Sequence, residues 1–283
     1  LHYHFTLKSC IIKLCAINFT RKGEFMKTML FFDVDGTLFD NKNLKVWEST
    51  TKAIKALAQN KDYILGLATG RSYSQLNAIT ELLPYFSYKV LINGATAYHN
   101  EEFLFGKSMN KEDTEQIFKY AQTRGFGVAY IGAKEFAISD LTDASTASLR
   151  DYDLRIPKID PFYHHYNDIY QMWVFCPRKE YLTFKEKFSH LTVYPWTTDG
   201  VDLTSKEVNK GVAISNIRQL EQVDKLISFG DGANDLEMLQ GSDISVCMGN
   251  SQYDFLKKAA TYVTARIDED GLSKAIYHLG LLK

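Results

Sequence analysis

Three short strand-like runs, spaced by stretches with helical periodicity, constrain this chain more than any other feature. Met29-Leu30-Phe31-Phe32 is the first, residues 63–68 the second, and Lys89-Val90-Leu91-Ile92, apolar after its lysine, supplies a third strand. A continuous apolar run is what a strand buried on both faces requires. Between the first two, Val46, Thr50, Ile54, Leu57 and Ala58 recur at helical spacing, and residues 72–83 read as a second helix. Strand, helix, strand, helix, strand predicts a parallel sheet covered on both faces, with ligands at the carboxyl ends of its strands. The rhythm returns late in the chain. Residues 212–220 read as helix, 225–229 as strand, 236–239 as helix, Ile244-Ser245-Val246-Cys247 as strand, 252–260 as helix, Tyr262-Val263-Thr264 as strand, and a last helix starts at Gly271. Residues 109–198 differ: residues 127–131 and 135–139 suggest a hairpin, residues 169–175 a strand, and most aromatic clusters lie here. This stretch reads as a separate α+β module inserted into an α/β domain.

A chain of 283 residues can bury a core of that size, and 45% hydrophobic with 24% charged residues excludes disorder and fibrous folds. Lys and Arg total 33 against 34 Asp and Glu, so no global charge favours nucleic acid or an anionic membrane. An anionic ligand must be held locally. Cys10, Cys15, Cys176 and Cys247 form no C-x-x-C pair, which suits reduced thiols in the cytoplasm. No apolar run is long enough to predict a membrane span.

The first 25 residues stand apart. Lys8, Lys13, Arg21 and Lys22 against Glu24 give +3 there and leave −4 for the rest. Lys13 breaks the apolar stretch Cys10-Ile11-Ile12, and no small-residue cleavage site follows, so a signal peptide is disfavoured. Residues 1–25 read as an extension, not native if Met26 is the true start.

Four local patterns carry chemistry. Asp33-Val34-Asp35-Gly36-Thr37 follows the first buried run directly. Two carboxylates at the mouth of a buried strand repel unless something compensates, and a divalent cation with a preference for hard oxygen ligands, such as Mg²⁺, does so. Ala68-Thr69-Gly70-Arg71-Ser72 ends the second run where a helix should open, an arrangement of hydroxyl, glycine and backbone N–H groups that suits an anion. Taken alone the signal is weak, and an ordinary helix cap is the favoured reading. Phe229-Gly230-Asp231-Gly232-Ala233-Asn234-Asp235 clusters three polar side chains after another apolar run. Asp231, nearest the strand end, is the better metal ligand, and Asp235 could instead stabilise a helix start. Asn209-Lys210-Gly211 opens the helix at 212–220.

These elements, in this order, resemble the four motifs of the haloacid dehalogenase (HAD) phosphohydrolase superfamily, and specifically its Cof-type branch. Ile92-Asn93-Gly94-Ala95, Leu236-Glu237-Met238 and Asp270-Gly271-Leu272 fit that branch as well. The resemblance covers residues 28–283. It implies a Rossmann-like core of residues 26–108 and 199–283, a cap of residues 109–198, Mg²⁺, and a small phosphorylated metabolite as substrate, with sugar phosphates the first guess. It further implies Asp33 as nucleophile forming an aspartyl-phosphate, Asp35 as general acid and base, and metal ligation by Asp33, the Asp35 carbonyl and Asp231. Thr69, Gly70, Lys210 and Asn234 would hold the phosphate, and Asp235 would orient Lys210 or a metal-bound water. A carboxylate at ~4 Å from a phosphate dianion meets about 8 kcal/mol of repulsion at an effective dielectric of ~20, which the metal and Lys210 would have to cancel.

Two other readings compete. A phosphotransferase or phosphomutase would use the same two aspartates with an alcohol in place of water, and a non-catalytic phosphometabolite-binding protein would have lost catalytic residues that are all present here. The aromatic segments Pro161-Phe162-Tyr163-His164-His165-Tyr166 and Tyr194-Pro195-Trp196 are expected to fill the module's core or surface. With no acidic or cysteine ligands near them in sequence, His164 and His165 give no zinc signal.

Overall fold

The computed structural model describes residues 27–151, 156–196 and 199–283. The expected extension, the Met26 start, Cys10 and Cys15 lie outside the described residues. Strand Thr28–Phe32 is central to a sheet of eight. Its side chains alternate between two cores. Leu30 and Phe32 pack with Ile54, Leu57 and Ile276 on one face, while Met29 and Phe31 pack with Ala213, Ile214 and Ile217 on the other. That is why the run carries no polar residue.

From one edge to the other, the strands of this sheet are Tyr262–Val263, Ile244–Cys247, Lys225–Gly230, Thr28–Phe32, Tyr63–Ala68, Tyr88–Leu91, Thr96–His99 and Glu102–Gly106. The first six are parallel; the last two are antiparallel and extend the edge. The expected parallel core is therefore present, with a hairpin added that turns through Asn100 at φ 54°. Residues 72–83 depart from the helix expected there. They form 3₁₀ turns at Tyr73–Ile79 and Leu83–Tyr85. Leu76, Ile79 and Leu82 are the buried apolar residues, and their spacing of three matches the 3₁₀ repeat rather than 3.6.

A second, six-stranded sheet interrupts the first in sequence, in the order Lys158–Ile159, Phe136–Ile138, Gly127–Ile131, Gln171–Phe175, Val201–Ser205, Leu191–Pro195. Helices Lys111–Thr123 and Tyr181–Lys187 cover one face, where Ile117, Phe118 and Phe184 meet Val128, Tyr130, Met172 and Val174. The opposite face, with Ala129, Phe136, Trp173 and Phe175, is continuous with the core of the first sheet. The division expected between residues 198 and 199 runs between two strands of this sheet. Val201–Ser205 pairs with both Gln171–Phe175 and Leu191–Pro195, because its buried Val201 and Leu203 complete that sheet's apolar face. Among the described residues, no helix is long and apolar enough to cross a membrane.

Candidate active site

Parallel register brings the carboxyl ends of three neighbouring strands to one edge. Phe32 is level with Phe229 on one side and Leu67 on the other, so Asp33, Asp231 and the Ala68–Thr69 step emerge together. Helix Lys210–Glu221 starts against this edge, with Asn209 accepting a hydrogen bond from the Val212 N–H as its cap. Gly94 permits the approach. Its φ is +100°, and a Cβ there would lie 2.3 Å from the Asn209 carbonyl oxygen.

Lys210 is fully buried at the centre. Its Nζ donates to Asp33 Oδ1 at 2.6 Å and to Asp235 Oδ1 at 2.7 Å. Burial opposes its charge, but Asp235 and Asp33 outweigh that and raise its pKa. Asp235 is also fully buried, and its Oδ2 accepts from the N–H groups of Asp231 and Gly232 at 2.9 and 2.8 Å. Both Asp235 oxygens are thus engaged with the protein. The arrangement suits a residue that orients Lys210 and the Asp231 turn.

Asp231 is held from a different direction. Asn250 Nδ2 donates to its Oδ2 at 3.0 Å and to the Gly36 carbonyl at 2.9 Å, while Ser251 Oγ donates to the Asp231 carbonyl at 2.7 Å. Its Oδ1 is buried with no partner. Gly36, at φ +84°, lies so close that a Cβ would come within 2.2 Å of Asp231 Oδ2. Burial, and then the charge of Asp235, push the Asp231 pKa up to about 7. Asp33 is also raised well above the usual carboxylate range, by burial first and by Asp235 next.

Ligand atoms of Asp33, Asp231 and Asp235 lie within 4.8 Å of one another. Among the described residues, Asp33, Asp35, Asp231 and Asp235 pair with only Lys210 and Arg71 as cations, so their ionised forms leave two negative charges unbalanced there. An orphaned buried carboxylate oxygen and a surplus of two charges fit a divalent cation with oxygen ligands.

Asp35 is clamped by Arg71. Nε donates to Asp35 Oδ2 at 2.8 Å, Nη2 to Oδ1 at 2.7 Å, and Nη1 to the Gln75 carbonyl at 2.8 Å. Burial disfavours the guanidinium charge, but the Asp35 contacts more than offset this and raise the Arg71 pKa. Thr69 is buried, its hydroxyl accepting from the Arg71 N–H at 3.1 Å. Gly70 backs onto Asn93, whose Oδ1 accepts from Asn234 Nδ2 at 2.8 Å. All eight residues singled out in sequence therefore sit at or beside one strand-end edge.

A family profile of haloacid dehalogenase-like hydrolases matches residues 30–276. This chain belongs to that family. Among HAD relatives, it is 27% identical over 259 residues to a Streptococcus pyogenes protein provisionally named a bifunctional phosphatase/peptidyl-prolyl cis-trans isomerase, covering 90% of this chain and 54% of that one. The chain thus spans about half the length of that relative. It is 28% identical to the provisionally named phosphatase YkrA of Bacillus subtilis, covering 90% of this chain and 98% of the other. A solved HAD subclass IIB sugar phosphatase, BT4131, superposes with a TM-score of 0.80 at 27% identity, covering 90% of this chain and all of that one. The chain is accordingly a HAD hydrolase with phosphatase relatives.

Four residues of this HAD site are not singled out by the sequence alone. Arg71 lies in plain view within Thr69-Gly70-Arg71, and its charge beside two aspartates is the available signal. Asn93 sits at φ 54°, and Ile92-Asn93-Gly94 offers a turn signature for it. Asn250 and Ser251 follow the strand Ile244–Cys247, neighbour to the strand that ends before Asp231, so their position relative to that strand is the only hint.

Proposed function

We propose that the protein is a Mg²⁺-dependent phosphatase of small phosphate monoesters, with sugar phosphates as the first class to examine. The observation that carries this is the Asp33–Lys210–Asp235 chain of buried ion pairs, with Asp231 within ligand distance of Asp33. Asp33 would attack phosphorus and form an aspartyl-phosphate, and Asp35 would donate a proton to the leaving oxygen and later take one from water. Lys210, already in hydrogen-bond contact with Asp33, is suited to neutralise a phosphoryl oxygen beside that carboxylate. Thr69, Gly70 and Asn234 would complete the phosphate site. Asp33, the Asp35 carbonyl and Asp231 would hold Mg²⁺, which when bound supplies charge neutralisation for the phosphoryl group. Asp235 would position Lys210.

The unit built on the second sheet would act as the cap that selects the ester, with the residues before Lys210 as its return connection. The sugar phosphatase among the structural relatives supports the substrate class. The cysteine pattern supports a cytoplasmic setting. The test is hydrolysis of p-nitrophenyl phosphate with and without Mg²⁺ by the native protein and by Asp33→Asn. The substitution should abolish Mg²⁺-dependent release of phosphate; unchanged turnover would remove Asp33 from the nucleophile role.

A further inference from the structure

The fold supplies what the sequence around His164 and His165 lacks. Glu115, on helix Lys111–Thr123, meets both histidines of the short helix Tyr163–Tyr166. Its Oε2 lies 2.7 Å from His164 Nε2 and 3.2 Å from His165 Nε2. We propose that Glu115, His164 and His165 form a binding site for a divalent late transition ion of the Zn²⁺ class, remote from the Asp33 site.

Three observations support it. The donor atoms already converge: one carboxylate oxygen and two imidazole nitrogens lie within 4.8 Å of one another. A tetrahedral Zn²⁺ with ligands at ~2.0–2.1 Å separates its donors by about 3.3 Å, so the three atoms need only small outward shifts to admit the ion. The ligands are also held from behind. His164 is stacked on Tyr130, with ring centroids 4.8 Å apart and planes 16° apart, and Phe118 packs at 5.5 Å. Lys119 takes the other Glu115 oxygen at 2.9 Å and leaves Oε2 for the histidines. Finally, one side is open. The His164 side chain is 1% exposed, Glu115 32% and His165 52%, so an ion can enter beside His165 and keep water as its fourth ligand.

Two imidazoles and one carboxylate favour Zn²⁺ and its neighbours over Mg²⁺, which prefers oxygen ligands. His164 also limits the affinity. Its Nδ1 is buried without a partner, so a metal on Nε2 forces an unpaired N–H there. Loss of such outer support typically weakens binding roughly 10- to 100-fold, which points to an exchangeable rather than a permanently held ion.

The experiment uses the full chain, stripped with a chelator and then saturated with Mg²⁺ to occupy carboxylate sites. Co²⁺ is titrated while visible absorption is recorded, and Zn²⁺ is then added. The proposal expects intense bands of a low-symmetry, nitrogen-ligated Co²⁺ that saturate at one ion per chain and vanish on Zn²⁺ addition. His165→Ala and Glu115→Gln, both at partly exposed positions, should each weaken binding at least tenfold and abolish the rise in melting temperature that Zn²⁺ gives the native protein. Retention of the metal-free melting temperature by His165→Ala shows that the variant is folded. Only the pale spectrum of oxygen-ligated Co²⁺, or binding that both variants preserve, would overturn the proposal and leave the cluster as hydrogen bonds between helices.

Discussion

Replacing Lys210 by Met tests the centre of the site most directly. Met keeps the length and apolar stem of the side chain and is a good helix former, so the change removes chiefly the ammonium. Lys210 is 0% exposed and touches Asp33 and Asp235 at 2.6 and 2.7 Å. At an effective dielectric of ~20 each contact corresponds to about 6 kcal/mol of attraction before desolvation is subtracted. Breaking a buried ion pair on one side typically costs ~3–5 kcal/mol, because the remaining charge is left uncompensated. For a chain of this size that is a fall in melting temperature of roughly 10 °C. The loss should be largest above neutral pH. Without the ammonium, Asp33 is raised even further, so its protonated form rescues the variant at low pH and the rescue disappears as pH rises. Turnover should fall by about 10²- to 10³-fold, the usual effect of removing one donor aimed at developing negative charge. Melting followed by circular dichroism at pH 5 and pH 8, with p-nitrophenyl phosphate turnover in Mg²⁺, reads both effects. Turnover within tenfold of native, together with an unchanged melting temperature at pH 8, would refute the assignment of Lys210 as the cation that balances Asp33 and Asp235.

Arg71→Gln removes the two-pronged clamp on Asp35, so hydrolysis of alkyl phosphates, whose leaving oxygen needs a proton, should fall at least about tenfold more than that of p-nitrophenyl phosphate; equal losses would assign Arg71 a purely structural role. Gly36→Ala drives a Cβ toward Asp231 at a φ of +84°, and it should abolish the proposed phosphatase activity and lower the melting temperature together. Asp202, on strand Val201–Ser205 of the second sheet, provides a pH signature. Burial pushes its carboxyl up to about 7, against a hydrogen bond from the Trp196 indole N–H that lowers it. A carboxyl whose folded pKa is raised favours the folded state less as pH climbs from its ordinary range through 7. The full effect is no more than about 4 kcal/mol, and less here because the residue keeps some solvent contact. Asp202→Asn should therefore flatten the decline of melting temperature between pH 5 and pH 8; an unchanged slope would show that other groups set it.

What the sequence discloses and what it withholds divide along physical lines. Asp33, Thr69 and Asp231 are legible because each is tied covalently to a strand whose burial is written in its own residues, and parallel register then sets the strand ends level. Lys210 is legible only through the family pattern, since nothing in Asn209-Lys210-Gly211 distinguishes a lysine enclosed by two carboxylates from one in water. Arg71 shows the opposite failure. Its residue type and place are visible, but whether a guanidinium after a strand reaches a carboxylate 36 positions away depends on the turn geometry between them. The second sheet is harder still. Val201–Ser205 is short and mixed in polarity, and only pairing on both sides makes it a strand. Glu115 and His164 are 49 positions apart and meet because a helix and a turn dock on one sheet face. Chemistry fixed by strand ends can therefore be read early, whereas contacts between separately docked elements exist only once packing is complete. The same distinction applies to substrate choice: it would rest on docked elements of the second unit, and motif letters alone identify the reaction before they identify what is hydrolysed.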